Sequence, residues 1–176
     1  GDDSYAVAGA AKGGALFETH FKLFQTASEK CEGIKQIYDF SHEAIGQVVI
    51  HKNEVVPPNS EVMVLDSWAH ITNDGGFHDT HNHPNCSWCG IYCIEKGNSS
   101  QKNQNGINRF HSPLNSSMVD AGNYYIQAGA WDWEPIDGHL LVFPSYLMHS
   151  ALPYSGDIDR IVISFNSTTV VQQEAI

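Results

Sequence analysis

Between Glu61 and Asn166 the chain is cut repeatedly by turn chemistry, and this limits the folds open to it more than any other feature. Asn73-Asp74-Gly75-Gly76, Gly97-Asn98-Ser99-Ser100, Asn105-Gly106, Asp120-Ala121-Gly122, Asp137-Gly138 and Ser155-Gly156-Asp157 all join residues that tolerate positive φ or close short turns. The candidate strands between them are 61–67, 87–95, 108–111, 123–127, 139–143 and 160–166. Many short strands without intervening helices predict an antiparallel sandwich or barrel.

Ahead of this region the pattern is helical. Leu16, Phe17, Phe21, Phe24 and Ala27 predict an amphipathic helix over 15–30. Ser41 is a candidate N-cap for a second helix, with Ala44, Ile45, Val48 and Val49 as its buried stripe and Pro57-Pro58-Asn59 as its stop. The expectation is one mainly-β domain over 1–176, with a jelly-roll core at 61–170 and N-terminal helices of 1–60 packed on one outer face.

Strand parity sharpens that expectation. Arg160, Val162, Ser164 and Asn166 share one face of the last strand, and Ile161, Ile163 and Phe165 share the other. The apolar face wants a core or the helices; the mixed face suits the lumen of a small barrel that holds a polar ligand. In the first strand Val62, Val64 and Asp66 are expected to alternate against Met63, Leu65 and Ser67.

Charge narrows the partners. The net charge is −11 with only nine Lys and Arg, which argues against nucleic acid or an anionic membrane surface. No apolar run approaches the roughly 20 residues needed to span a bilayer. No basic, apolar leader opens the sequence, so a cytoplasmic location is expected. Cys31, Cys86, Cys89 and Cys93 read as reduced thiols in a chain of this size. The expected partner is a small-molecule substrate; oligomeric state stays open, a homodimer included.

The chemistry concentrates on histidines. His81 and His83 flank one residue and point the same way on a strand, while His149 can arrive from a distant strand to close a three-point metal face. Non-haem iron is held by such a triangular face, commonly two His and one carboxylate, with the opposite positions open. Here His83 stands where the carboxylate would; Asp79 is the alternative ligand. Arg160 offers the planar fork that matches a carboxylate, with Ser164 and Tyr92 as further donors to an anionic co-substrate.

Ordinary roles compete with these. His20, His42, His51, His111 and His139 read as surface or hydrogen-bonded residues, whereas His70 is a candidate to line the site. Arg160 could pair with Asp157 or Asp159 at the surface. Cys86 and Cys89 with His81 and His83 could form a structural zinc clip, although Cys89 and Cys93 lie in an apolar strand where Cys packs as a small hydrophobe. Trp131-Asp132-Trp133 could cap a pocket mouth or pack against the helices.

Four ordered motifs carry a family resemblance. They are Gly76-Phe77-His78-Asp79-Thr80-His81-Asn82-His83-Pro84, Ser87-Trp88-Cys89-Gly90-Ile91-Tyr92, Gly138-His139-Leu140-Leu141-Val142-Phe143-Pro144-Ser145-Tyr146-Leu147-Met148-His149-Ser150 and Arg160-Ile161-Val162-Ile163-Ser164-Phe165-Asn166. Together they resemble a family of 2-oxoglutarate/Fe(II)-dependent oxygenases. The resemblance implies a double-stranded β-helix, a cupin-like jelly roll. It also implies Fe(II) at His81, His83 and His149, 2-oxoglutarate on Arg160, and hydroxylation of a small molecule with release of succinate and CO2. Two rival functions remain on the same barrel: a three-His dioxygenase that does not use 2-oxoglutarate, and a non-enzymatic metal- or ligand-binding module.

Overall fold

The computed structural model describes residues 16–113 and 129–172. The expected strand at 123–127 lies outside them. The order of elements is β1 (Leu16–Glu18), α1 (Leu23–Ala27), α2 (Glu32–Lys52), β2 (Ser60–Thr72), β3 (Gly76–His81), β4 (Trp88–Glu95), a 3-10 turn at Gln101–Asn103, β5 (Asn108–His111), β6 (Ala130–Trp133), β7 (Leu140–Pro144), β8 (His149–Tyr154) and β9 (Arg160–Val171). The strands form a five-stranded sheet ordered β1-β2-β9-β4-β7 and a four-stranded sheet ordered β3-β8-β5-β6. The pairings between these strands are all antiparallel. This is the expected jelly roll.

One core lies between the sheets and one behind them. Cys89, Ile91 and Cys93 of β4, Phe143 of β7 and Val162 of β9 meet Phe110 of the smaller sheet. On the other face of β9, Ile163 and Phe165 pack with Phe24 of α1 and with Ile45 and Val49 of α2. Adjacent residues of one strand therefore serve different cores, as period-two alternation requires. Phe165 lies so close over β4 that a Cβ on Gly90 would sit 2.2 Å from its Cζ. Gly90 is a packing glycine.

Three expectations need correction. Residues 15–30 are not one helix. Leu16–Glu18 extends the sheet as an edge strand on β2, with Leu16 and Glu18 buried and Phe17 exposed, and only Leu23–Ala27 is helical. Apolar spacing alone could not reveal the cross-strand hydrogen bonds that decide this. Ser41 is not an N-cap but a fully buried residue inside the 21-residue α2, which begins after Cys31. The stripe named for that helix is right in substance: Ile45 and Val49 are buried, each contributing about 1.5–3 kcal/mol.

The third correction is the alternation of β2. Its register against β9 shifts between Val64 and Asp66. A bulge inserts a residue and switches the parity. Val62 and Val64 face the helices, whereas Asp66, Trp68 and His70 line the lumen.

Candidate metal centre

The three histidines named from sequence converge. His81 closes β3, and His149, which opens β8, is its cross-strand partner. His83 lies just past β3, tied to the loop before β8 by its N–H to the Ser145 carbonyl at 3.1 Å. Its placement comes from that loop rather than from strand alternation. One ligand nitrogen from each ring lies within 4.8 Å of the other two.

Backbone carbonyls fix two of the rings. His81 Nδ1 is 2.7 Å from the Asp79 carbonyl oxygen, and His149 Nδ1 is 2.9 Å from that of Leu147. A carbonyl can only accept, so each Nδ1 carries a proton, and in the neutral ring that leaves Nε2 as the donor atom for a metal. This outer hydrogen bond is the usual way a protein orients a ligating imidazole. His83 Nε2 is 3.3 Å from His149 Nε2. Two nitrogens about 2.1 Å from one ion, at roughly 90–110° to each other, would be about 3.0–3.4 Å apart. Burial and the neighbouring imidazoles push His83 down to about 3, and burial first of all pushes His149 down to about 4, so both are neutral near pH 7 and able to donate to a cation. The donor set and its spacing fit a first-row divalent metal.

A cavity of about 520 Å³ opens beside this face, within the range of small-ligand sites. Ile91, Phe143 and Val162 give it apolar walls, and Arg160 and Asn108 line it too. Arg160 is 3% exposed, and its Nη2 donates to Asn108 Oδ1 at 2.7 Å. Its Nε is buried and has no partner. Among the described residues no carboxylate pairs with it; Asp159 instead accepts from Asn73. Burial lowers its pKa to about 10, which leaves it charged at neutral pH. A buried guanidinium without a counter-ion carries a desolvation cost of several kcal/mol, and an anionic ligand would offset it.

Ser164 lines the same cavity but is the register partner of Trp68, whose ring stacks on His83 at 5.9 Å. It is four positions from Arg160, about 13 Å of strand at roughly 3.3 Å per residue. Ser164 therefore stands beside Trp68, four positions along the strand from Arg160. Tyr92 does not reach the cavity. It alternates with inward-facing Ile91 and lies on the helix side against Phe40 and Gly138. Its assignment as a co-substrate donor is corrected by the parity of β4.

Asp79 lines the cavity, but the cluster around His81 does not include its carboxylate. Cys86 Sγ and Cys89 Sγ are 3.8 Å apart and Cys89 donates to Asn166 Oδ1 at 3.3 Å, but among the described residues no metal-ligand cluster joins these thiols to His81 and His83. Trp131 is 55% exposed, and Asp132 binds Arg109 at 2.7 Å on the outer part of the smaller sheet.

Sequence reasoning missed Glu18, His78 and Asn108. His70, a candidate from sequence, joins Glu18 and His78 in a second cluster within 4.8 Å, and all three line the cavity. The signal for His78 is hidden because β3 shifts register between His78 and His81, which turns both inward at a spacing that plain alternation forbids.

Two antiparallel sheets around an imidazole-lined cavity define the architecture of a metal-dependent oxygenase barrel. A family model for 2OG-Fe(II) oxygenases matches residues 66–166, more than half of the chain. The chain belongs to that family, whose metal and co-substrate are Fe(II) and 2-oxoglutarate.

Solved structures share the fold. AviO1 from Streptomyces viridochromogenes Tue57 matches all of this chain and 77% of its own, at 14% identity and a TM-score of 0.63. A prolyl hydroxylase from Trichoplax adhaerens, in complex with a hypoxia inducible factor oxygen degradation domain peptide fragment, matches 92% of this chain and 66% of its own, at 14% identity and 0.58. HygX from Streptomyces hygroscopicus, with nickel and 2-oxoglutarate bound, matches 94% and 73%, at 15% identity and 0.54. The chain spans 46% of the length of a Burkholderia pseudomallei oxidoreductase of the 2OG-Fe(II) oxygenase family. No curated protein matches it. Among the described residues no helix is long and apolar enough to cross a membrane.

Proposed function

We propose that this chain is a non-haem Fe(II)- and 2-oxoglutarate-dependent oxygenase that hydroxylates a small molecule and releases succinate and CO2. One observation carries the reading. A face of three imidazoles and a buried guanidinium with no carboxylate partner line the same cavity. His81, His83 and His149 would hold the metal, with Asp79 and Leu147 keeping two of the rings in the donating tautomer. The metal, when bound, supplies the oxidising chemistry, and overall 2-oxoglutarate, O2 and a substrate C–H become succinate, CO2 and C–OH.

The remaining work falls to this chain's side chains. Arg160 takes the far carboxylate of 2-oxoglutarate, and Asn108 holds the guanidinium by one Nη2 so that its Nε stays free for that contact. Ile91, Phe143 and Val162 exclude water around the carbon chain of the co-substrate. Ser164 supplies a hydroxyl to the cavity beside Trp68. Three neutral ligands place no protein negative charge on the ion, so an anionic keto acid meets less opposition than it would beside a carboxylate ligand.

The test is anaerobic addition of Fe(II) and 2-oxoglutarate. A weak visible charge-transfer band should appear in the parent, followed by succinate once oxygen is admitted. Oxygen uptake without succinate, in the presence of substrate, would move the function to the three-His dioxygenase that ignores 2-oxoglutarate.

A further inference from the structure

The second cluster in the cavity wall is not used by that reaction. Glu18, His70 and His78 come from β1, β2 and β3. Glu18 Oε2 lies 2.5 Å from His70 Nε2 and 3.9 Å from His78 Nε2. The carboxyl is 4% exposed, and among the described residues no Lys or Arg pairs with it.

Protons alone satisfy this cluster poorly. A neutral imidazole Nε2 has either one proton or one lone pair. His70 Nε2 meets the indole N–H of Trp68 at 2.7 Å and the Glu18 oxygen at 2.5 Å. If it accepts from the indole it has nothing to give Glu18. If it donates to Glu18, two N–H groups face each other. A protonated Glu18 would compete with the indole for the same lone pair. His78 Nε2, meanwhile, is buried without any partner. A cation between the three groups, with the Glu18 oxygen drawn back from His70 Nε2 to ligand spacing, would satisfy both rings and the carboxylate together.

We propose that Glu18, His70 and His78 form a second divalent-cation site in the wall of the cavity, separate from the three-His face. Two imidazoles and one carboxylate are a set that first-row ions from Mn(II) to Zn(II) accept, with coordination positions left open. The rings of His78 and His81 are 5.6 Å apart, so the two ions are neighbours. Their mutual repulsion separates the two affinities, and the Trp68 N–H that must leave His70 Nε2 makes this the weaker site. The ion takes the place of the Trp68 N–H on His70. Trp68, which also stacks on His83, is thus a competitor for the second metal and a link between the two sites.

The probe is Zn(II), titrated calorimetrically into the metal-stripped full chain, with bound metal counted after gel filtration and the fold checked by circular dichroism. Two equivalents of unequal affinity are expected. Glu18→Gln and His78→Gln should each remove the weaker one only. His83→Ala should remove the tighter one only. Trp68→Phe, which deletes the competing donor, should tighten the weaker site by roughly 2–10-fold, the worth of one hydrogen bond. A parent that binds one equivalent, unchanged by Glu18→Gln and by Trp68→Phe, would overturn the proposal and make Glu18 a protonated hydrogen-bond donor. If His83→Ala keeps both equivalents while Glu18→Gln loses one, the three-His centre is what fails and the second site stands.

Discussion

The two faces of β9 differ in almost everything except their backbone. The lumen face carries Arg160, Val162, Ser164 and Asn166 along the cavity; the opposite face puts Ile163 and Phe165, both fully buried, against α1 and α2. One sheet thus separates chemistry from stability at single-residue resolution. The helix face can be closely packed because it holds no ligand. The lumen that the other face lines holds the charged Arg160 guanidinium and the buried, neutral rings of His83 and His149, which cost stability until a metal and an anion arrive. Damage to one face should leave the property of the other nearly intact.

The largest separation is expected at the histidines. His149→Ala should weaken metal binding by more than about 100-fold, beyond the roughly 10–100-fold cost of losing an outer partner of a ligand, and should abolish succinate formation. The melting temperature of the metal-free protein should fall far less than its activity; metal binding and thermal melts read both. On the other face, Ile45→Ala should cost about 3 kcal/mol of unfolding free energy. Its kcat/KM per folded molecule should stay within about twofold of the parent. A matching loss of activity would show that the faces are coupled.

The anion end gives a smaller and sharper contrast. Arg160→Ala should weaken 2-oxoglutarate by about 2–4 kcal/mol, roughly 30- to 1000-fold, while leaving metal affinity within about threefold. Asn108→Asp puts a carboxylate on the guanidinium 2.7 Å away. It should weaken 2-oxoglutarate comparably yet leave the melting temperature unchanged or raised, because it supplies the missing counter-ion. A Tm that falls as 2-oxoglutarate binding is lost would show that Asn108 only supports the fold.

Acidity acts gradually, over a range of pH, rather than through one substitution. Burial pushes His70 down to about 3 and His149 to about 4, below the ordinary imidazole value of about 6.5. The fold holds these rings neutral, so their contribution is fully present above about pH 6.5. It is lost as pH falls toward 4, because the unfolded chain binds protons that the folded chain does not. Stability of the metal-free protein should drop by about 1 kcal/mol per pH unit for each ring in that window. The double variant His70→Gln/His149→Gln should flatten the slope in urea melts.

What could be read from the sequence follows from the physics of strands. Alternation in an unbroken strand is a local property, so the two faces of β9 are legible, and so is the burial of Cys89 and Cys93 in an apolar strand. Which face of β4 meets the lumen is not local: the structure puts Ile91 there, and Tyr92 falls on the other side. Bulges are set by the partner strand, so the parity switch at Val64–Asp66 and the inward turn of His78 left no local mark. The strand at Leu16–Glu18 is likewise decided by its register on β2, from Leu16↔Thr72 to Glu18↔His70, which also brings Glu18 to the cavity. His81, His83, His149 and Arg160 stand out in the sequence because their residue types suit metal and carboxylate binding, and they line one cavity. Asn108 does not stand out, because an amide gains meaning only from the guanidinium it faces.

The most direct test is an anomalous diffraction map of the protein crystallised anaerobically with Ni(II) and 2-oxoglutarate. A nickel peak about 2.0–2.2 Å from a nitrogen of each of His81, His83 and His149 is predicted, with the far carboxylate of 2-oxoglutarate on Arg160. The account is contradicted if no nickel binds those three rings, or if the keto acid lies outside the lumen while Arg160 keeps Asn108 as its one partner.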